Sequence, residues 1–241
     1  MAGSARRWTL VSSVSVYASN SEPGADEAAT VVEPINLDDH AHAKVAAERA
    51  TTAAVGDRLL IARPGLIAGP DDPSDRFGYW VSRLALAGHE PILVPDVAAR
   101  SVQFIDVRDL AGWLVSAGYR GLTGVYNAVG SEHDFSTVLL TAAQIAGYTG
   151  EFIRAADNWL IERNVNYWAG SRSLPLWLPH QDSAFAQRSR TRFLAAGGTE
   201  RSLEQTLEDI LADERARGLN RERRSGLNRD EENLLLTELC G

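Results

Sequence analysis

Short apolar, β-branched runs alternate with segments of helical length from Trp8 to Asp157, the pattern of a parallel sheet flanked by helices. The runs are WTLVSSVSVY (8–17), RLLIARPGLIAGP (58–70), PILVPD (91–96), SVQFID (101–106), GVYNAVG (124–130) and EFIRAAD (151–157). Between the first two, Asp38 or Asp39 caps a predicted alanine-rich helix that runs to Ala54 and closes at Gly56. A second helix is expected over 74–88, with Phe77, Trp80, Val81 and Leu84 on one face. Asp106 caps a third, and a fourth spans 134–150. Ser202 and Gln205 form a capping box for a helix carrying Leu203, Leu207, Ile210 and Leu211. The fold expected is α/β.

With 241 residues, 44% of them hydrophobic, the chain can bury a sizeable core. A formal net charge of −8 argues against a nucleic-acid groove or an anionic membrane surface as partner. No apolar run reaches the ~18 residues of a transmembrane helix. The start, MAGSARRWTLVSSVSVYA, reads better as a strand than as a signal peptide, because serines break its apolar part. Cys240 is the single cysteine, so neither an intrachain disulfide nor a thiolate metal cluster is expected, and the expected setting is cytoplasmic. His89, His133 and His180 lack metal-ligand spacing, so no metal site is expected. The stretch ERARGLNRERRSGLNRDEEN (214–233) mixes charge signs and reads as solvated helices and turns.

One residue stands apart. Lysine and arginine total 24, and Lys44 is the single lysine, which leaves 24 − 1 = 23 arginines. Lysine offers a compact ammonium with three rotatable donors, which an arginine fork does not. On the predicted helix His40 lies four residues before Lys44 and shares its face, while His42 points elsewhere. The preceding strand ends in Ser12, Ser13, Ser15 and Tyr17, and parallel sheets bind ligands beyond the carboxyl ends of their strands. Strand-end hydroxyls facing an imidazole and an ammonium make a candidate proton-transfer site.

At these residues the chain resembles the extended short-chain dehydrogenases, the NAD-dependent epimerase/dehydratase family. VSSVSVYA (11–18) is similar to the family's active strand. His40-A-H-A-Lys44-V-A-A-Glu48 is similar to its Tyr-x-x-x-Lys followed by glutamate. Arg63, Pro64, Gly69 and Pro70 match the end of its next strand, and FIDVRDLA (104–111) and GVYNAVG (124–130) match two later motifs. The resemblance implies a partial Rossmann-like parallel sheet over 1–130, forming the C-terminal half of an NAD(P)-binding domain. It implies a mostly helical substrate-binding region over 131–241, with a smaller α/β part. It implies NAD or NADP as cofactor and a small hydroxyl or carbonyl compound as substrate. Ser13 matches the serine that hydrogen-bonds the reacting oxygen. Lys44 matches the lysine that holds the nicotinamide ribose and tunes the neighbouring acid/base. Ser12, Arg63, Pro64, Gly65 and Leu66 fall where the family lines the nicotinamide.

Two departures follow. The family's catalytic tyrosine is His40 here. Imidazole does acid/base work near neutral pH, but its nitrogen falls ~2 Å short of a phenol oxygen, most of a hydrogen-bond length. A water, or Tyr17, could close that gap. The family's opening strand and glycine-rich turn, which seat the cofactor pyrophosphate on a helix N-terminus, have no match in the sequence, and about four strands are expected to be missing ahead of Trp8. The glycines of GLTGVYNAVG lead into a strand and read as structural. Two functions remain open: an NAD(P)-dependent epimerase/dehydratase-like reductase impaired by truncation, or a non-catalytic remnant. In either case Trp8, Leu10, Val11, Val14 and Val16 would lie along an open sheet edge able to pair with a second copy.

Overall fold

The computed structural model describes residues 5–241; the first four residues of the basic start lie outside them. In chain order the first elements are β1 (Trp8–Val11), α1 (His40–Val55), β2 (Leu59–Ala62), β3 (Leu66–Ala68), α2 (Phe77–Ala87), β4 (Ile92–Pro95), β5 (Ser101–Asp106), α3 (Val107–Arg120) and β6 (Gly124–Tyr126). There follow β7 (Glu132–Asp134), α4 (Phe135–Ala146), β8 (Phe152–Ala155), α5 (Asp157–Glu162), β9 (Asn166–Trp168), β10 (Ser173–Pro175), α6 (Thr191–Ala195), α7 (Leu203–Arg217) and α8 (Arg229–Cys240). The fold is α/β. It forms two compact units that alternate along the chain: residues to Ile67, 103–132 and 181–201 in the first, and 68–102, 133–180 and 202–241 in the second. The boundary expected at residue 130 lies two residues before one passage between them.

The first unit is built on a parallel sheet in the order β1-β2-β6. All four residues of β2 are buried, and they alternate between two clusters. Leu60 and Ala62 pack with Leu110, Trp113 and Ala117 of α3 and with Phe193. Leu59 and Ile61 pack with Val55 of α1 and with Trp8 and Leu10. A central strand buried on both faces carries apolar residues at every position, which is the apolar run read in the sequence at 58–62. Asp106 caps α3 by accepting from the backbone of Arg108, and Gly121 ends that helix in the left-handed conformation at φ 68°.

The expected strand over 8–17 is shorter. Pairing with β2 ends at Val11, and Ser13 Oγ accepts from Ser15 N at 3.1 Å, capping a single 3₁₀ turn over Val14–Val16. Serine side chains compete for backbone donors, which turns the chain here. Val14 and Val16 therefore lie not on a sheet edge but in a buried cluster with Tyr17, Val45 and Val129.

In the second unit β4 and β8 pair in parallel, and α2, α4 and α7 pack on one another. Helix α2 is buried on nearly every side, including Tyr79, Ser82 and Arg83, so the single apolar face expected for it was too narrow. Trp80 sits edge-on to Phe135 at 5.8 Å, and its indole donates to Pro175 O at 2.8 Å. The stretch 214–233 is only partly solvated: Arg215, Glu222, Arg224 and Asp230 are exposed, while Glu214, Ser225, Leu227 and Glu232 are buried. Arginines neutralise its acids: Arg223 bonds Glu214 at 2.7 Å, and Arg83 bonds Glu232.

Candidate active site

The carboxyl end of β1 and the first two turns of α1 meet in the first unit. Asp39 accepts from Ala41 N and His42 N at 2.9 and 3.1 Å, which starts α1 at His40. The half-buried Lys44 donates its ammonium to Val11 O at 3.0 Å, across to the last residue of β1. Ser12 follows, with its hydroxyl buried and without a hydrogen-bond partner. Ser13 is half-buried and donates to Ser15 Oγ at 3.0 Å. His40 is exposed, and its ring makes no hydrogen bond among the described residues. His42 turns back to the preceding loop, where its Nδ1 accepts from Asn36 N at 3.1 Å.

One turn after Lys44 on α1, Glu48 enters a buried network. Arg63 donates through Nε to Glu48 Oε1 at 2.9 Å and through Nη2 to Oε2 at 2.6 Å, with both side chains buried. Its Nη1 donates to Tyr17 Oη at 3.1 Å, and Tyr17 donates to Asn127 Oδ1 at 2.5 Å. The guanidinium of Arg63 lies 5.0 Å from the Tyr17 ring centre and that of Arg188 lies 4.7 Å from it. Arg188 is held by Asn20 Oδ1 at 2.6 Å and Ser19 O at 2.9 Å. Burial pushes the Tyr17 phenol above its ordinary range, against the opposing pull of Arg63. A buried phenol so engaged holds the loop between β1 and α1, with its proton directed at Asn127. The spacing of Glu48 after Lys44 and the arginine before Pro64 were the sequence signals for this network.

Behind the strand end, Val14 N donates to Pro64 O at 2.9 Å, so the Pro64–Leu66 backbone runs alongside the serine turn. In that segment Pro64 and Leu66 are buried and Gly65 is half-buried. At Gly130 a Cβ would lie 2.2 Å from Phe104 O, so close backbone packing demands this glycine. The described residues contain no group of three or more His, Cys, Asp or Glu able to hold a metal ion, and no helix long and apolar enough to cross a membrane.

The residues present fit one end of a dinucleotide. Ser12 Oγ is a buried hydroxyl lacking a partner, Lys44 is a cation held at the strand end, and Gly65 exposes backbone beside them. The pyrophosphate end finds no match, since no glycine-rich turn joins a strand to a helix N-terminus among the described residues.

The family model for the NAD-dependent epimerase/dehydratase family matches residues 2–130. No curated protein matches the chain. Among solved structures, the chain is similar to a candidate epimerase from Burkholderia cenocepacia J2315, at 24% identity and a TM-score of 0.66, covering 88% of this chain and 64% of that one. It is similar to RMD from Pseudomonas aeruginosa complexed with NADPH, at 22% identity and a TM-score of 0.63, covering 87% of this chain and 67% of that one. UDP-glucuronic acid 4-epimerase from Bacillus cereus in complex with NAD aligns at 15% identity and a TM-score of 0.60, over 87% of this chain and 61% of that one. At these identities the likeness is one of fold.

Proposed function

Because the chain belongs to the NAD-dependent epimerase/dehydratase family, we propose that it is built for hydride chemistry between NAD(P) and a small hydroxyl or carbonyl substrate. The observation that carries this reading is the Lys44 ammonium bonded to Val11 O, with Ser12 and Ser13 next along the chain and His40 one helical turn earlier. Ser13 holds the reacting oxygen of the substrate. His40, on the open rim, moves its proton through a water that spans the reach missing from imidazole. Lys44 and the Ser12 hydroxyl hold the nicotinamide ribose, and Arg63 positions the Pro64–Leu66 backbone from behind. When bound, the nicotinamide supplies or takes the hydride. The 241 residues offer the pyrophosphate no matching turn, so we assign this chain weak cofactor binding and low turnover.

Titration calorimetry tests the assignment without a known substrate. Nicotinamide mononucleotide and intact NAD or NADP should bind alike, in the millimolar range, and Lys44→Met should remove the binding of both. Micromolar affinity for NAD with none for the mononucleotide would place the site elsewhere.

A second reading is favoured by the edge of the sheet. Among the described residues β1 has one ladder partner, β2, and Val11 is 39% exposed. That open edge suits pairing with a second copy of the chain, whether or not chemistry persists.

A further inference from the structure

The segment 214–233 contains the tetrapeptide Gly-Leu-Asn-Arg twice, at 218–221 and 226–229. Both glycines adopt left-handed φ, 97° at Gly218 and 119° at Gly226, so each copy opens on a turn that other residues strain to make. The second copy starts α8, where Asn228 and Glu231 form a capping box. The two copies line one wall of a cavity of about 350 Å³ that lies wholly within the second unit, with α2 as the opposite wall. That volume suits a small molecule.

The lining is rich in donors. It includes five arginines and two glutamates. Each guanidinium named here leans on a carboxylate with one edge: Arg83 on Glu232, Arg221 on Glu214 and Asp75, and Arg223 on Glu214. Arg221 also donates to Glu222 O and Arg223 to Leu219 O, but one nitrogen of each guanidinium is left over. Arg83 Nη1, Arg221 Nε and Arg223 Nη1 are buried without a hydrogen-bond partner, and the Tyr79 hydroxyl has no acceptor. Tyr79 and Arg83 are 1% and 6% exposed. Eight buried side-chain polar atoms among the described residues lack a partner, and four of them belong to this one lining. Every one of the four can donate. Native interiors rarely leave such groups unmet, and each costs desolvation energy until an acceptor arrives.

We propose that this cavity binds a small anionic molecule through a phosphate or carboxylate group, whose oxygens accept from Tyr79 and from the unpaired arginine nitrogens once these donors, which have no accessible surface in the structure, turn toward the cavity. The bound carboxylates keep the guanidiniums aimed, and an oxyanion with several lone pairs answers several donors at once. This site shares no residue with that at Ser13 and Lys44, and it stands whether or not the reading of that site holds.

Calorimetric titration of the whole chain with inorganic phosphate, and separately with succinate, at ionic strength matched by chloride, tests it. Saturable one-site binding of either anion, weakened about 3- to 10-fold by Tyr79→Phe, the worth of one hydrogen bond, supports the proposal. The stronger of the two anions identifies the group. Arg172→Gln, a half-exposed lining position, gives the same readout should the Tyr79 variant fold poorly. Absence of saturable binding for both anions, or affinity untouched by either substitution, overturns it.

Discussion

Arg63 and Glu48 form a two-pronged ion pair, at 2.9 and 2.6 Å, with both side chains buried. Breaking one half of such a pair leaves a charge in the interior without compensation, at a cost of about 3–5 kcal/mol. Glu48→Gln should therefore lower unfolding stability by about that amount in urea titrations. Replacing both partners together, Glu48→Leu with Arg63→Met, should cost clearly less than the single change. A Glu48→Gln variant within about 1 kcal/mol of the parent would show that water reaches the pair, as it does at surface pairs.

Tyr17→Phe removes the acceptor of Arg63 and the donor of Asn127 while keeping the ring under two guanidiniums. We expect a loss of about 1–3 kcal/mol from the buried groups left unmatched. Nicotinamide mononucleotide binding should survive, because the phenol lies in the support of the loop. Loss of that binding in a variant with a native circular dichroism spectrum would move Tyr17 into the site.

These two residues also show how far the sequence could be read. Local signals were sufficient for the caps: Asp39, Asp106 and the Ser202–Gln205 box start α1, α3 and α7 where expected, since a cap needs neighbours within a few positions. The family was legible from several motifs in order: the spacing of His40, Lys44 and Glu48, then Arg63–Pro70, 104–111 and 124–130. The partners of Tyr17 were not legible, because Asn127 lies 110 positions away and a buried polar network follows no period. The break at Ser12–Ser13 was hidden for a different reason. The β-branched run continues to Tyr17, and a side-chain hydroxyl overrode its strand preference. In the stretch 214–233, alternating charges suggested solvent, whereas two of its acids are buried, Glu214 matched by Arg223 from the stretch itself and Glu232 by Arg83 of α2.

Asp106 predicts an acid-side dependence of stability. Burial acts to raise its carboxyl pKa, but Arg108 bonds it from Nε at 2.9 Å and Nη2 at 2.7 Å, with the Arg108 backbone at 2.9 Å, and holds it below the ordinary range. A depressed folded value means the stabilisation is present above the unfolded value, about 3.9, and is lost as pH falls through the folded one. Asp106→Asn keeps a capping acceptor and loses the charge. It should cost about 1 kcal/mol at neutral pH, discounted because Arg108 is partly exposed. Urea unfolding of parent and variant should converge as pH drops below about 4. A constant gap across that range would exclude the charge as its origin.

For the open edge of β1, the informative position is Val11, a residue 39% exposed at the end of the strand. If two copies pair there, Val11→Lys places a charge against the incoming strand, as natural edges do to prevent pairing. Light scattering after size-exclusion chromatography should show the parent as a dimer or larger and the variant shifted to monomer. An assembly of unchanged size in the variant would locate the contact on another surface.

His40 sits at the family's tyrosine position, first in α1, exposed and unbonded, one turn before Lys44. Nothing packs against its ring to demand an imidazole, so His40→Tyr should fold normally. The substitution gains ~2 Å of reach, most of a hydrogen-bond length, and supplies a hydroxyl that meets the reacting oxygen without an intervening water. Proton transfer by a well-placed group contributes about 10²- to 10⁴-fold, so the gain in turnover should be at least tenfold. The readout is deuteride transfer from labelled NADPH to a panel of small carbonyl compounds and nucleotide sugars, at saturating cofactor. Ser13→Ala and Lys44→Met introduced into the His40→Tyr background should each cancel the gain. A gain that persists without Ser13 would mean that the tyrosine acts on an oxygen held elsewhere, and no gain at all would mean that the ring of residue 40 does not face the substrate.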